Sequence, residues 1–314
     1  MAGLYLNTNI TSLYTRKFAN RNSRELDVAY QRLASGLKIN SAKDDAAGLQ
    51  ITDHMTTQIN GLSQGNRTAQ DGLSYAQTAE GALDEITTML QRIRTLALQS
   101  ANGTNSTQDR RNMQDEVDQL NEEITRIANQ TTFAGQDLLN GNASVAQFQV
   151  GPTPNSLIEI DLRPGFDTKN IAKIAASNAS KAGVFTIKED NAFGLTQTEF
   201  SYTAVFNYSI NGGGIDISTQ VNAEIVLAGI DGLIDAVDSK RAELGAVQNR
   251  LESTIRNQDN IKENVSSSRS RIRDTDFAEE TSTLTHKQIL EQATATILTQ
   301  ANSRPEIALS LLQR

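Results

Sequence analysis

The chain contains no cysteine and no tryptophan among its 314 residues. Without cysteine there is no disulfide framework and no thiolate metal site. Histidine occurs twice, as His54 and His286, and neither stands in a metal-ligand spacing such as H-E-x-x-H. No apolar run approaches the length of about 18 residues that a membrane span needs, so no membrane insertion is expected. The start, "MAGLYLNTNITSLYTRKF", lacks the basic lead and apolar run of a Sec-type signal peptide. Proline is missing from the first 151 residues; Pro152, Pro154 and Pro164 fall together, and Pro305 stands alone. Proline breaks a helix interior because it lacks an N–H and clashes with the preceding turn, so the proline-free half permits long helices. Aromatics make up 5% of the chain and hydrophobic residues 38%. That is lean for one compact globule and sufficient for long helices whose Leu, Ile, Val and Ala fill a narrow seam.

The charge is −8 overall, which argues against a general affinity for nucleic acid. It is unevenly spread. Residues 1–40 carry six bases against Glu25 and Asp27, whereas residues 273–314 carry six acids against four bases. One reading is chance and solvated faces; the other is that the two ends meet with complementary charge.

Apolar spacing supplies the architecture. Ile10 and Leu13 begin a stripe that Leu26, Tyr30, Leu33 and Leu37 continue. A second runs through Met55, Ile59, Leu62, Ala69, Leu73, Ala76, Leu83, Ile86, Leu90, Ile93 and Ala97. Steps of three, four and seven sustained over that distance predict coiled-coil-like helices. "SANGTNST" (100–107) interrupts them, and a further helix is predicted over about 106–129 with an acidic outer face. From about 141 to 222 the texture changes: eight of the fifteen aromatics fall between 148 and 208. "FSYTAVFNYSI" (200–210) favours strand, "NGGGID" (211–216) a turn, and one short helix is expected near 169–180. Helix resumes at about 222, with its apolar register interrupted near Lys240–Arg241 and near Gln258. "RIRDTDFAEETS" (271–282) reads as a break, with Asp274 or Thr275 capping a last helix that Pro305 ends or bends. The fold class is therefore mainly α: long antiparallel, coiled-coil-like terminal helices with a small β-rich central insertion, an α+β rod. An amphipathic seam must be buried against something. The simplest partner for each terminal seam is the other one, together with further copies of the chain.

No constellation of residues points to catalysis. Asp44 and Asp45 are consecutive, so on a helix they point about 100° apart and form no carboxylate dyad. Ser41 as a helix cap, with both acids near the positive end of the dipole, explains them better. Gly212–Gly214 lacks the Lys-Ser/Thr of a phosphate loop.

"LNTNITSL" (6–13), "RLASGLKINSAKDDAAGLQI" (32–51) and "LQRIRTLALQSANGTNS" (90–106) resemble the N-terminal half of bacterial flagellin. "SSSRSRIRDTDFAEETS" (266–282), "QILEQATATILTQAN" (288–302) and "ALSLL" (308–312) resemble its C-terminal half. The resemblance covers roughly 1–142 and 225–314, in order. It implies a structural subunit of the flagellar filament, not an enzyme, and no cofactor. A hook–filament junction protein, which shares such ends, is the alternative.

The resemblance also implies a division of the chain. Residues 1–42 and 272–314 would form an inner helical core, and 43–141 and 225–271 the helical rod around it. Residues 142–224 would be the small β-rich part of that rod. Self-assembly seams would use Ile10, Leu13, Leu26, Leu33 and Leu37 on the first arm, and Ile289, Leu290, Ala293 and Ile297 on the last. Gly36, Asn40, Asp44, Asp45 and Gly48 would form the joint between the first arm and the next helix. Expected partners are identical subunits, an export chaperone at the C-terminal helix, and the filament cap and hook-junction proteins. Export through a type III secretion channel would place the protein outside the cell. Arg92, Leu96, Gln99 and Glu116 match positions by which the family is recognised by host Toll-like receptor 5, although Leu96 also reads as rod packing.

Overall fold

The computed structural model describes residues 8–178, 184–187, 198–201, 205–207 and 214–312. Six helices occur among them: α1 (Ile10–Ser35), α2 (Ala46–Ser100), α3 (Thr107–Gln130), α4 (Thr168–Asn178), α5 (Gln220–Arg273) and α6 (Phe277–Leu312). The strands are short and paired in antiparallel twos: β1 (Thr132–Phe133) with β2 (Gln136–Asp137), and β3 (Ala146–Gln149) with β4 (Leu157–Ile160). β5 (Val184–Ile187) pairs with β6 (Thr198–Ser201), and β7 (Phe206–Asn207) with β8 (Gly214–Ile215). The mainly helical reading with small central strands stands. Parts of the 200–210 strand and of the 211–216 turn lie outside the described residues. The chain divides into two compact units, one made of Met1–Asn60 and Ile261–Arg314, the other of Gly61–Asn260.

In the second unit the predicted stripes are the core. Leu83, Ile86, Leu90 and Ile93 of α2, Val117 and Ile124 of α3, and Ile230, Leu233 and Val237 of α5 are buried together. The central segment closes this core with Leu138, Leu139, Ile160, Leu162 and Phe166. Its hairpin β3–β4 holds Phe148 opposite Ile158, and Tyr75 meets the Phe148 ring edge-on at 5.5 Å. α2 and α5 run antiparallel in one register fixed by polar pairs. Asn66 donates to Asp259 at 2.6 Å, Gln248 to Glu80 at 2.6 Å, and Arg241 pairs with Asp84 at 2.7 Å. Further along, Thr87 donates to Asp238 at 3.2 Å and Arg94 to Asp231 at 2.6 Å.

The turn from α2 to α3 is closed by side chains. Ser106 and Asp109 form a capping box at the start of α3, which satisfies N–H groups that a helix start leaves unpaired. Arg110 donates to the carbonyls of Ser100 and Asn102, the former at the end of α2, at 2.8 and 3.0 Å. The chain returning to α5 is tied to α3, where Gln114 donates to the Ile215 carbonyl and accepts from the Ile217 N–H.

In the first unit α1 and α6 pair along their length. The sequence expected Pro305 to end or bend the last helix; it does not end it, since α6 continues through it to Leu312. Proline cannot donate to the carbonyl four residues back, here that of Ala301. The Asn9 side-chain amide donates to that carbonyl at 2.7 Å. The vacancy left by Pro305 is thus filled from the other arm.

Candidate functional site: the paired arms and their joint

The face that joins α1 to α6 is built from small and polar groups more than from large apolar ones. Thr15, Asn22, Leu26 and Ala29 are buried on α1, and Ala301 on α6. Asn22 donates to the Lys287 carbonyl at 2.8 Å, Gln288 to the Tyr30 hydroxyl at 2.9 Å, and Ser12 to the Asn302 side chain at 2.7 Å. Two ion pairs cross the seam, Arg32–Glu280 at 3.6 Å and Lys287–Glu25. The hydrogen bond from Lys287 lowers the Glu25 pKa.

Of the nine residues assigned to the seams from sequence, Leu26 alone is buried here. Leu33 and Leu37 are half-buried. Ile10, Leu13, Ile289 and Ile297 are each more than half exposed, and Leu290 and Ala293 are exposed as well. The opposite arm alone therefore covers little of these stripes, which were expected to be buried by that arm together with further copies of the chain. Both helices carry apolar residues on more than one face, and periodicity alone does not say which face meets the partner arm. Tyr14, Phe18 and Phe277 are further large exposed side chains that the stripe reading passed over.

The joint is a short run of specific hydrogen bonds. Gly36 ends α1 in the left-handed region at φ 69°, its N–H on the Arg32 carbonyl at 2.8 Å. Glycine takes that conformation without the Cβ penalty. The Gly36 carbonyl then accepts from Thr275 N–H at 3.0 Å, and the Arg273 carbonyl from Lys38 N–H at 2.7 Å. Leu37 and Asp274 thus form an antiparallel bridge. Asn40 donates its amide to the Leu37 carbonyl at 2.9 Å.

Asp44 accepts from the Ser41 and Asn40 N–H groups and from the Ser41 hydroxyl. These bonds, led by the Ser41 N–H, lower the Asp44 pKa. Asp45 accepts from Gly48 N–H at 2.9 Å. Asp45, not Ser41, therefore caps α2, and Asp44 closes the turn before it. Likewise Asp276, not Asp274 or Thr275, caps α6, accepting from Ala278 and Glu279 N–H. Cap-forming residues cluster at both places, and the one used is decided by where the bridge releases the chain. A Cβ at Gly48 would meet the Ile39 side chain at 2.7 Å and the Asp45 carboxylate at 2.5 Å, so a larger residue there would make both side chains shift.

The receptor-matching residues lie in the second unit. Arg92 pairs with Glu116 at 2.6 Å, both part-exposed, and Gln99 is exposed. Leu96 is 2% exposed and belongs to the core. Its packing role holds, and its side chain offers no outer surface.

A feature missed from sequence is a glycine track on α2. A Cβ at Gly61 would meet Pro152 at 2.7 Å, one at Gly65 the Val150 carbonyl carbon at 2.9 Å, and one at Gly72 the Phe148 ring at 3.1 Å. The β3 strand and the residues after it lie directly on the helix backbone there, and Gln258 of α5 donates to the Val150 carbonyl. The four-residue spacing of Gly61 and Gly65 was visible, but their partner was not. The register breaks at Lys240–Arg241 and Gln258 have the same explanation: each is a polar side chain reaching another segment, Lys240 to the Asp161 carbonyl and Arg241 to Asp84.

His54 and His286 are exposed and far apart in sequence. Among the described residues no three of His, Cys, Asp and Glu are grouped to hold a metal ion, and no helix there is long and apolar enough to cross a membrane.

Comparison with known proteins places these features in context. Residues 6–144 match the family model of the bacterial flagellin N-terminal helical region, and 227–312 that of the C-terminal helical region. Flagellin B of Vibrio cholerae serotype O1 is 37% identical, over 98% of this chain and 99% of its own length. Flagellin A of Vibrio anguillarum is also 37% identical, over 98% and 99%. Among solved structures, FliC from Burkholderia pseudomallei is 26% identical and covers 57% of this chain and 99% of its own, with a TM-score of 0.44.

Proposed function

The chain belongs to the bacterial flagellin family and is a structural subunit of the flagellar filament, and from that premise we propose how its surfaces divide the work. The arms 1–42 and 272–314 form the inner layer of the polymer, and 43–141, 142–224 and 225–271 the layer around it. The observation that carries this reading is the exposure of Ile10, Leu13, Ile289, Leu290 and Ile297 on the paired arms. Large apolar side chains exposed in this number on paired helices support an interaction site there. Each large side chain contributes about 1.5–3 kcal/mol when a neighbouring copy covers it. The joint Gly36–Gly48 fixes where the first arm leaves its partner.

Before assembly the same face on α6 suits an export chaperone, and during assembly the cap and hook-junction proteins meet it. Export through a type III channel to the cell exterior belongs to this reading. So does recognition by Toll-like receptor 5 through Arg92, Gln99 and Glu116, with Leu96 supporting that surface from below. No observation favours the hook–filament junction alternative, and no chemical step is assigned.

The test is deletion of residues 1–40 or of 275–314. We expect neither variant to form filaments under conditions where the full chain does. Ordinary filaments from either deletion would overturn the assignment of the arms.

A further inference from the structure

Four Asn-Gly pairs occur in the chain: Asn60–Gly61, Asn102–Gly103, Asn140–Gly141 and Asn211–Gly212. Asparagine before glycine carries a latent reaction. Glycine has no Cβ, so its nitrogen can approach the asparagine side-chain carbon without hindrance. Three of the pairs lie among the described residues, and Asn211–Gly212 lies outside them.

The three stand in different surroundings. Asn60 and Gly61 are inside α2, where helical hydrogen bonding commits the Gly61 N–H to the carbonyl four residues back. Asn140 is half-buried. Its side-chain amide donates to Asp137 at 2.6 Å, and a Cβ on Gly141 would meet the Gly165 backbone at 3.3 Å. Asn102 and Gly103 are exposed in the turn between α2 and α3. A Cβ on Gly103 would meet nothing within 4 Å, and among the described residues the Gly103 N–H has no acceptor.

Two further contacts act on Asn102. Thr104 N–H donates to its side-chain oxygen at 3.2 Å, the atom on which negative charge gathers when the side-chain carbon is attacked. Arg110 donates to its backbone carbonyl at 3.0 Å. That carbonyl shares a peptide group with the Gly103 nitrogen, so a cationic donor on its oxygen eases loss of the N–H proton.

We infer that Asn102 is a self-modifying site, which the chain converts without an enzyme to aspartate and isoaspartate. Hydroxide takes the Gly103 N–H proton, and the nitrogen attacks the Asn102 Cγ. The bond from Cγ to Nδ2 then breaks. Ammonia leaves with a proton from water, which restores the hydroxide, and a succinimide ring remains. Water opens that ring at either carbonyl. One opening leaves an aspartate side chain. The other carries the main chain through Cγ and leaves the former backbone carbonyl as a carboxylate beside Arg110. Loss of ammonia makes the change one-way, so each chain gains a negative charge at this turn with age. This chemistry is separate from the filament reading.

Asn105 is a control three residues away. The Ser106 N–H that would attack it is held by Asp109 at 3.0 Å, and its own amide donates to the Gln99 carbonyl at 2.6 Å.

The test holds the full chain in warm buffer at mildly acidic, neutral and mildly alkaline pH. Samples are digested with trypsin and mapped by mass spectrometry with fragmentation that separates aspartate from isoaspartate. Conversion at Asn102 is expected several-fold faster than at Asn60, Asn105 or Asn140, and faster as the pH rises. In urea the rates at Asn60, Asn102 and Asn140 should approach one another. Equal rates at those three sites in the folded chain overturn the inference, as does an intact Asn102 there that converts only in urea. Aspartate at 102 without isoaspartate means direct hydrolysis and overturns it too. Gly103→Ala places a methyl group in open space, so the urea midpoint should hold while conversion at Asn102 slows several-fold. Unchanged conversion in that variant would rule out attack by the Gly103 nitrogen.

Discussion

At the scale of single residues, two glycines on one helix should respond oppositely to the same change. Gly65 faces the Val150 carbonyl group, whereas a Cβ at Gly81 meets nothing within 4 Å. Gly65→Ala forces the strand off the helix, and overpacking of that kind costs about 1–3 kcal/mol. Gly81→Ala should stabilise by about 0.5–1 kcal/mol, since alanine loses less backbone freedom on folding. Urea unfolding of depolymerised protein, with midpoints moving in opposite directions, is the check.

A second residue-scale effect concerns acid. The Asp161 carboxyl is lowered from 3.8 to about 2, first by its hydrogen bond from Arg163, at 2.6 Å. A depressed carboxyl contributes stability that is present above its unfolded value and lost as the pH falls through its folded one. The wild type should therefore lose more stability between pH 5 and pH 2 than an Arg163→Ala variant. Unfolding midpoints across that range measure the difference, which should be small because the pair is largely solvated.

At the scale of elements, α5 shows what a break in apolar register is for. Its stripe lapses where Lys240, Arg241 and Gln258 turn to other segments. Gln258→Leu restores the stripe but leaves the Val150 carbonyl without its donor. Such a group costs about 1–3 kcal/mol, offset in part because the unpaired buried Gln258 Oε1 is removed too. We expect lowered stability of the second unit by urea unfolding and altered filament curvature by electron microscopy. Unchanged curvature would discount these breaks as the play that a supercoiling filament needs between near-equal arrangements.

The elements also show how far the sequence could be read. α2, α3 and α5 were legible because their burial follows a sustained helical period. Helix starts were off by one to four residues because Ser41, Asp44, Asp45, Asp274 and Asp276 are all good cap formers. The outward orientation of Ile10, Ile289 and Ile297, and the docking of β3 on Gly61 and Gly65, depend on what lies opposite. Periodicity carries no information about that.

At the scale of the whole molecule, the arms and the Gly61–Asn260 unit should differ in stability when no neighbours are present. The second unit has one continuous core, whereas the arms expose many of their large apolar side chains and bury Thr15 and Asn22. Ordering an arm costs about 1–2 kcal/mol per residue in backbone freedom alone, and the seam offsets little of this without a neighbouring copy. Limited proteolysis of depolymerised protein should cut within 1–40 and 275–314 well before 55–130. Equal resistance of all three would refute the coupling of arm folding to polymerisation.

The bond from the Asn9 amide to the Ala301 carbonyl has a bearing on biosynthesis. Its two ends are 292 residues apart in the chain. On a ribosome adding about 5–20 residues per second, the acceptor is made roughly 15–60 s after the donor. The first arm therefore emerges with its latch still missing and stays unfastened throughout translation.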